Sequence, residues 1–419
     1  LHLIPKKCLF YKNGGAKMGD FFQGGEITTL HKLGKGNLER AEFELQEFAR
    51  KRPIALILPC LHTDLKSQAL KVIIEELKNV NYIRELIVAL GPTEKSEFKY
   101  AKKIFSEVPF KTTVIWNTGE RILDIYDTIR SLGLYIGEIG KGRFIWTAYG
   151  YILSQDEFHT IVHHNCDILT YSREILARLC YPLSNPNYTY RFCKGYYSRV
   201  TDRLHGRATR LLITPLVRAL ISIIGCIPIL SFFDSFRYLL SPEFAIDTRL
   251  ARVNRLPSDW SFEVGVLTEV YRNISIRNIC QVDITEEYEH KHQILSPDDA
   301  TKGLNKMCVD ICLSMFSTLA SEGIVFTSGS FETLVATFDK MAREIINKYE
   351  DDAGLNGLLF DRYGESNVVD VFKTSITEAA ERTKKNPLGT PLISSWQRVI
   401  SRTPDVLSII QEAVQKDNS

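Results

Sequence analysis

Short apolar runs alternate with amphipathic stretches along the chain as far as Cys166. Ile54–Pro59 (IALILP) and Glu85–Leu90 (ELIVAL) are near-continuous apolar blocks, and Thr112–Trp116 (TTVIW) and His159–His163 (HTIVH) are shorter ones. Apolar runs of this length, bounded by Pro or Gly, predict strands buried on both faces of a parallel sheet. Between them Gln68–Lys78, Ser96–Glu107 and Gly142–Leu153 space their apolar residues as helices do, and a further helix is predicted over Leu38–Arg50. This alternation predicts an α/β fold with a doubly wound, mostly parallel sheet. Such sheets bind ligands at the carboxyl ends of their strands, here 59–64, 90–93, 117–121 and 165–167.

The rhythm loosens after Glu174 into Phe192–Lys194, a basic loop and an apolar stretch. From residue 303 the pattern is helical: Leu304, Met307, Cys308, Ile311, Cys312, Met315, Phe316 and Leu319 form one stripe, and Phe331 to Tyr349 a second. Packing alone explains the Cys and Met in these stripes. Leu211–Phe233 is long enough to span a bilayer, but Arg218 sits near its middle, Pro215 and Pro228 near its ends, and Gly225 at a break. A charge there is costly in a membrane, so a buried or interface helix followed by a turn is expected, without stable membrane insertion.

Composition narrows the class. The 419 residues, 44% hydrophobic, suit two or three packed units rather than a disordered chain. Lys and Arg number 52 against 50 Asp and Glu, a net charge of +2, which argues against a protein that coats nucleic acid. Nine scattered cysteines without a CxxC pair suit a reduced, cytoplasmic chain. Residues 1–17 lack the apolar run of a signal peptide, and Met18 is the expected start.

Four clusters could carry chemistry. Asn165-Cys166-Asp167 leaves an apolar strand, and Asp167 could hold a hard cation and through it a pyrophosphate, although a lone Asp there also suits a turn or helix cap. Gly140-Lys141-Gly142 opens a helix, where glycines, ammonium and helix dipole suit a phosphate. Lys194–Arg210 gathers Lys194, Arg199, Arg203, Arg207 and Arg210 against Asp202 alone, which fits an anion or a solvated basic patch. Glu263 lies in the apolar helical run FEVGVLTEV near Asp259, an unfavourable place for a carboxylate without a task, and His290 and His292 are possible metal ligands.

Taken in order, these motifs resemble the retaining glycosyltransferases that include glucosyl-3-phosphoglycerate synthase, which have a GT-A fold. The likeness covers Pro53 to Gln293. It is carried by Pro59-Cys60-Leu61-His62, Leu90-Gly91, Gly140-Lys141-Gly142, Asn165-Cys166-Asp167, Gly206-Arg207-Ala208-Thr209, Leu240–Ala245, Glu263-Val264-Gly265 and Gln281-Val282-Asp283 with His290. The resemblance implies transfer of glucose, with retention, from a nucleotide sugar such as UDP-glucose to 3-phosphoglycerate, with Mg²⁺ or Mn²⁺ as cofactor. By position, Pro59, Leu61, Thr63, Leu90, Lys141, Asn165 and Cys166 would bind the donor, and Gly206, Arg207, Ala208 and Thr209 the acceptor phosphate. Asp167 and His290 would hold the metal, and Glu263 and Asp167 would be the catalytic pair.

The implied organisation is an entry segment (1–52), a nucleotide-sugar half (53–167), an acceptor half (168–295) and a helical region (296–419) that carries dimer contacts or a lid in a homodimer. Three departures stand out, one of them the unexpected length of the C-terminal helical region. Asn165 replaces the first acid of the metal motif, and Thr63-Asp64 stands where an acid usually follows the first-strand loop. Asn165 leaves open a catalytically impaired nucleotide-sugar binder; a GDP-mannose or glycerate enzyme, and a polyprenyl-phosphate transferase using Leu211–Phe233 at a membrane, are further alternatives.

Overall fold

The computed structural model describes residues 23, 25–34, 37–289 and 303–419. Among these, eight strands form one sheet: β1 (Thr28–Leu30), β2 (Ile54–Cys60), β3 (Glu85–Leu90), β4 (Lys111–Trp116), β5 (Thr160–His163), β6 (Phe192–Tyr197), β7 (Phe244–Asp247) and β8 (Ile279–Thr285). Their order across the sheet is β1-β8-β6-β7-β5-β2-β3-β4. Only β7 runs against its neighbours, β5 and β6.

The four strands expected from apolar runs are β2 to β5, the GT-A-type half of the sheet. In β2 the residues alternate between the two faces: Ile54, Leu56 and Leu58 join one core and Ala55 and Ile57 the other. Helices Gln68–Leu77 and Lys95–Phe105 cover the first face and helix Lys141–Gln155 the second. Burial on both faces is why the sequence there reads as continuous apolar blocks.

Two expectations need correction. The supposed basic loop starts inside a strand: Phe192–Tyr197 (FCKGYY) is β6, fully buried, and Lys194 points into the core. The motif at Leu240–Ala245, where the sequence pattern predicts no strand, runs into β7. Both strands carry charged or small residues that break the apolar signal.

Leu211–Phe233 folds as a π-helical turn (Ala208–Ile213), a helix (Thr214–Ile224), a break at Gly225 with φ +99°, and a helix (Pro228–Asp234). Glycine tolerates that left-handed backbone where other residues are strained. Arg218 turns outward to Asp234 at 3.2 Å. Among the described residues no helix is long and apolar enough to cross a membrane.

The C-terminal helices Gly303–Ser321, Ser328–Leu355 and Arg362–Lys385 share the apolar core of helix Lys141–Gln155. Trp146 and Trp396 stack at 4.1 Å between ring centroids. Each indole also donates across the contact, Trp146 to Ser394 O at 2.8 Å and Trp396 to Trp146 O at 2.7 Å. At the sheet edge, Asn418 acts as a strand would. Its amide accepts from Val114 N at 3.1 Å and donates to Val114 O at 2.9 Å, satisfying groups that the edge of β4 otherwise exposes.

Candidate active site

A cleft of about 1190 Å³ opens where the carboxyl ends of β2, β5 and β6 meet the start of β7. Met307, Asp310 and Ser314 of the C-terminal helix Gly303–Ser321 complete its wall.

At its centre, Lys141 donates to Asn165 Oδ1 at 3.1 Å and Glu263 Oε1 at 3.2 Å. Its ammonium also lies 5.5 Å from the Phe262 ring centroid. Lys141 is the first residue of its helix and Glu263 the second of helix Phe262–Asn273. Two glycines let these helix starts converge on Pro257. A Cβ on Gly142 would come to 1.9 Å from Pro257 O, and one on Gly265 to 2.2 Å from Pro257 Cγ. Gly142 is therefore required by packing against Pro257, whatever the motif does for a phosphate.

Beneath this trio lies a buried polar layer that the sequence did not suggest. Lys194 Nζ donates to Ser241 O at 2.6 Å. Burial brings its ammonium down to about 8, although Glu263 and Glu243 pull it back up. The Glu243 carboxylate is buried and accepts from Tyr288 at 2.6 Å, Tyr197 at 2.9 Å and Ser241 at 3.0 Å. Burial and then the Lys141 charge hold His163 well below the usual imidazole range. The ring is neutral, so its Nδ1, 2.8 Å from Pro242 O, is the protonated nitrogen. The layer fixes the floor of the site by hydrogen bonds and leaves the exposed chemistry to Lys141 and Glu263.

The metal motif follows β5. Asp167 and Asn165 line the cleft beside Lys141. One carboxylate with substrate phosphates is a common Mg²⁺ arrangement, so Asp167 fits a Mg²⁺ or Mn²⁺ ion. His290, the second expected ligand, and His292 lie outside the described residues. Cys166 turns instead toward Cys60 and Asp64, and these three ligand atoms lie within 4.8 Å of one another. Contact with Cys60, and then burial, hold the Cys166 thiol well above its usual range.

In the basic segment, Arg203 pairs with Asp202 at 2.8 Å. Arg207 and Arg210 share a carboxylate from the C-terminal region, Glu365, at 2.8 and 2.9 Å. The segment is thus more neutralised than its own sequence implies. Thr209 Oγ1 is buried with no hydrogen-bond partner among the described residues, and Thr209 lines the cleft.

No family model matches the chain. Over 402 residues, 96% of this chain and all of the relative, it is 42% identical to glucosyl-3-phosphoglycerate synthase of Persephonella marina. The chain belongs to the glucosyl-3-phosphoglycerate synthase family. The enzyme of that name from Methanococcoides burtonii is 32% identical over 405 residues, 95% of this chain and 98% of the relative. A solved glucosyl-3-phosphoglycerate synthase from Mycobacterium tuberculosis, 19% identical, shares the fold with a TM-score of 0.50 over 72% of this chain and 88% of the other.

Of the residues singled out on the glucosyl-3-phosphoglycerate synthase pattern, Pro59, Leu61, Lys141, Asn165, Cys166 and Asp167 line the cleft. Gly206, Arg207, Ala208, Thr209 and Glu263 line it as well. Two stand apart. Thr63 is exposed on the turn after β2, and Leu90 is buried at the end of β3, where its carbonyl accepts from Asn117 Nδ2 at 2.8 Å. Lys194 and Glu243 were named only within a basic segment and a motif, without their buried role, and Glu365 was not named. A lysine inside β6 and a glutamate just before β7 were the available signal for the first two, but Glu365 lies on a helix with ordinary surface composition.

Proposed function

We propose that this chain transfers glucose from UDP-glucose to 3-phosphoglycerate with retention of configuration, giving glucosyl-3-phosphoglycerate. The observation that carries this is Lys141 held between Asn165 and Glu263 in a cleft, in a chain related over 96% of its length to an enzyme that gives this product its name. The M. tuberculosis enzyme has been solved with Mg²⁺ and UDP, and with Mn²⁺, UDP-glucose and phosphoglyceric acid.

The donor lies along the ends of β2 and β5, near Pro59, Leu61 and Asn165, with its diphosphate toward Lys141. When the bond between the anomeric carbon and the diphosphate breaks, negative charge grows on the leaving oxygen. An ammonium already in place stabilises that state more than the ground state. A divalent ion bound at Asp167 supplies further charge neutralisation there. Glu263 holds Lys141 in place and offers its second oxygen to a sugar or acceptor hydroxyl. Arg207 and the Thr209 hydroxyl, which also line the cleft, receive the acceptor phosphate.

The test is a panel of UDP-, GDP- and ADP-sugars against 3-phosphoglycerate and glycerate. UDP-glucose with 3-phosphoglycerate is expected to give the highest kcat/KM. A preference for GDP-mannose or for glycerate would replace the substrate assignment.

A further inference from the structure

We propose that Cys60, Asp64 and Cys166 form a binding site for a soft divalent cation of the Zn²⁺ class, separate from the hard-ion position at Asp167. The site follows from strand register. β2 and β5 pair in parallel with Ile57 opposite His163, and Cys60 and Cys166 each come three residues later. The two thiols thus stand side by side where adjacent strands end. A tight turn returns Asp64 over them: Asp64 N donates to Leu61 O at 2.9 Å, and Leu61 N to Asp64 Oδ2 at 3.0 Å. The same carboxylate oxygen accepts from Cys166 Sγ at 3.5 Å.

The three ligand atoms lie within 4.8 Å of one another. Tetrahedral zinc, with bonds of about 2.3 Å to sulfur and about 2.0–2.2 Å to oxygen, needs its ligands about 3.5–3.8 Å apart. Side-chain adjustment of about an ångström therefore closes the set. Both cysteines are buried at 3% exposure, which shields the sulfurs, while all three residues border the cleft, from which an ion can enter. Thiolates select soft ions, whereas Mg²⁺ and Mn²⁺ prefer oxygen, so the two positions sort metals by chemistry. Binding replaces the two thiol protons, which pass to solvent, with two metal–sulfur bonds. That the occupied site faces the donor half rests on the function proposed above; the metal site itself does not.

Cadmium is the probe, because it takes thiolate ligands and its thiolate bonds absorb in the ultraviolet. The full chain, kept reduced with a phosphine, is titrated with Cd²⁺. Expected is a thiolate band saturating at one equivalent in the wild type and in Asp167→Asn. Affinity should fall at least about tenfold in Cys60→Ser, Cys166→Ser and Asp64→Asn. Asp64→Asn leaves both buried thiols intact and decides the matter should a serine variant not fold. A wild type without a saturating band, a band lost in Asp167→Asn, or a folded Asp64→Asn that binds as tightly as the wild type would each overturn the proposal. The readout is absorption, so a different substrate preference leaves it unaffected.

Discussion

Lys141 Nζ and Glu263 Oε1 lie 3.2 Å apart although 122 residues separate them in sequence. The pair is half-shielded, with side-chain exposures of 34% and 17%, and the lysine is shared with Asn165. An ammonium held this way reaches its position before substrate arrives, which is the condition for stabilising a leaving group without reorganisation.

Lys141→Met keeps an unbranched apolar stem beside Phe262 and removes the charge. Steady-state kinetics should show kcat lowered about 100- to 1000-fold, the usual effect of deleting one preorganised donor. An unchanged kcat would take Lys141 out of the leaving-group role.

Asn165→Asp restores the acid that the metal motif lacks. Asn165 already has a task, accepting from Lys141. A carboxylate there would draw the ammonium from Glu263 while adding charge beside Asp167. Tighter metal activation is expected, seen as a lower Mg²⁺ concentration at half-maximal rate, with no rise in kcat. A large gain in kcat would show that Asn165 impairs the enzyme.

Gly142→Ala sets two effects against each other. Helix propensity favours Ala by about 1 kcal/mol. The added Cβ, however, meets a backbone oxygen at 1.9 Å, which cannot move aside as a side chain would. Overpacking of this kind costs about 1–3 kcal/mol, so thermal melting should show a lower Tm, and displacement of Lys141 should lower kcat as well. A raised Tm would show that the contact with Pro257 is loose.

How much of this was legible follows from what each residue does. β2 to β5 were visible because burial on both faces leaves a continuous apolar run. β6 and β7 were not, since Lys194 in one and the glutamate before the other are buried by hydrogen bonds to residues distant in sequence. Asn165, Lys141 and Glu263 each looked unusual in their local setting, so they could be singled out, but their meeting depends on Gly142 and Gly265 closing on Pro257. Glu365 had no local signal. Its role exists only because the fold brings its helix against Arg207 and Arg210.

Arg207→Ala tests the acceptor wall. Loss of a charge-assisted hydrogen bond, about 1.5–3 kcal/mol, should raise the KM for 3-phosphoglycerate about 10- to 100-fold and leave the donor KM nearly unchanged. An unaltered acceptor KM would show that Arg207 serves only its ion pair with Glu365.

Proton NMR of the product formed from UDP-glucose and 3-phosphoglycerate, with Mg²⁺ and again with excess chelator, tests glucose transfer at this cleft most directly. An α-linked glucosyl-3-phosphoglycerate accumulating in step with UDP, and only with the divalent ion, is the expected result. A β-linked product, or turnover that survives complete chelation, would contradict it.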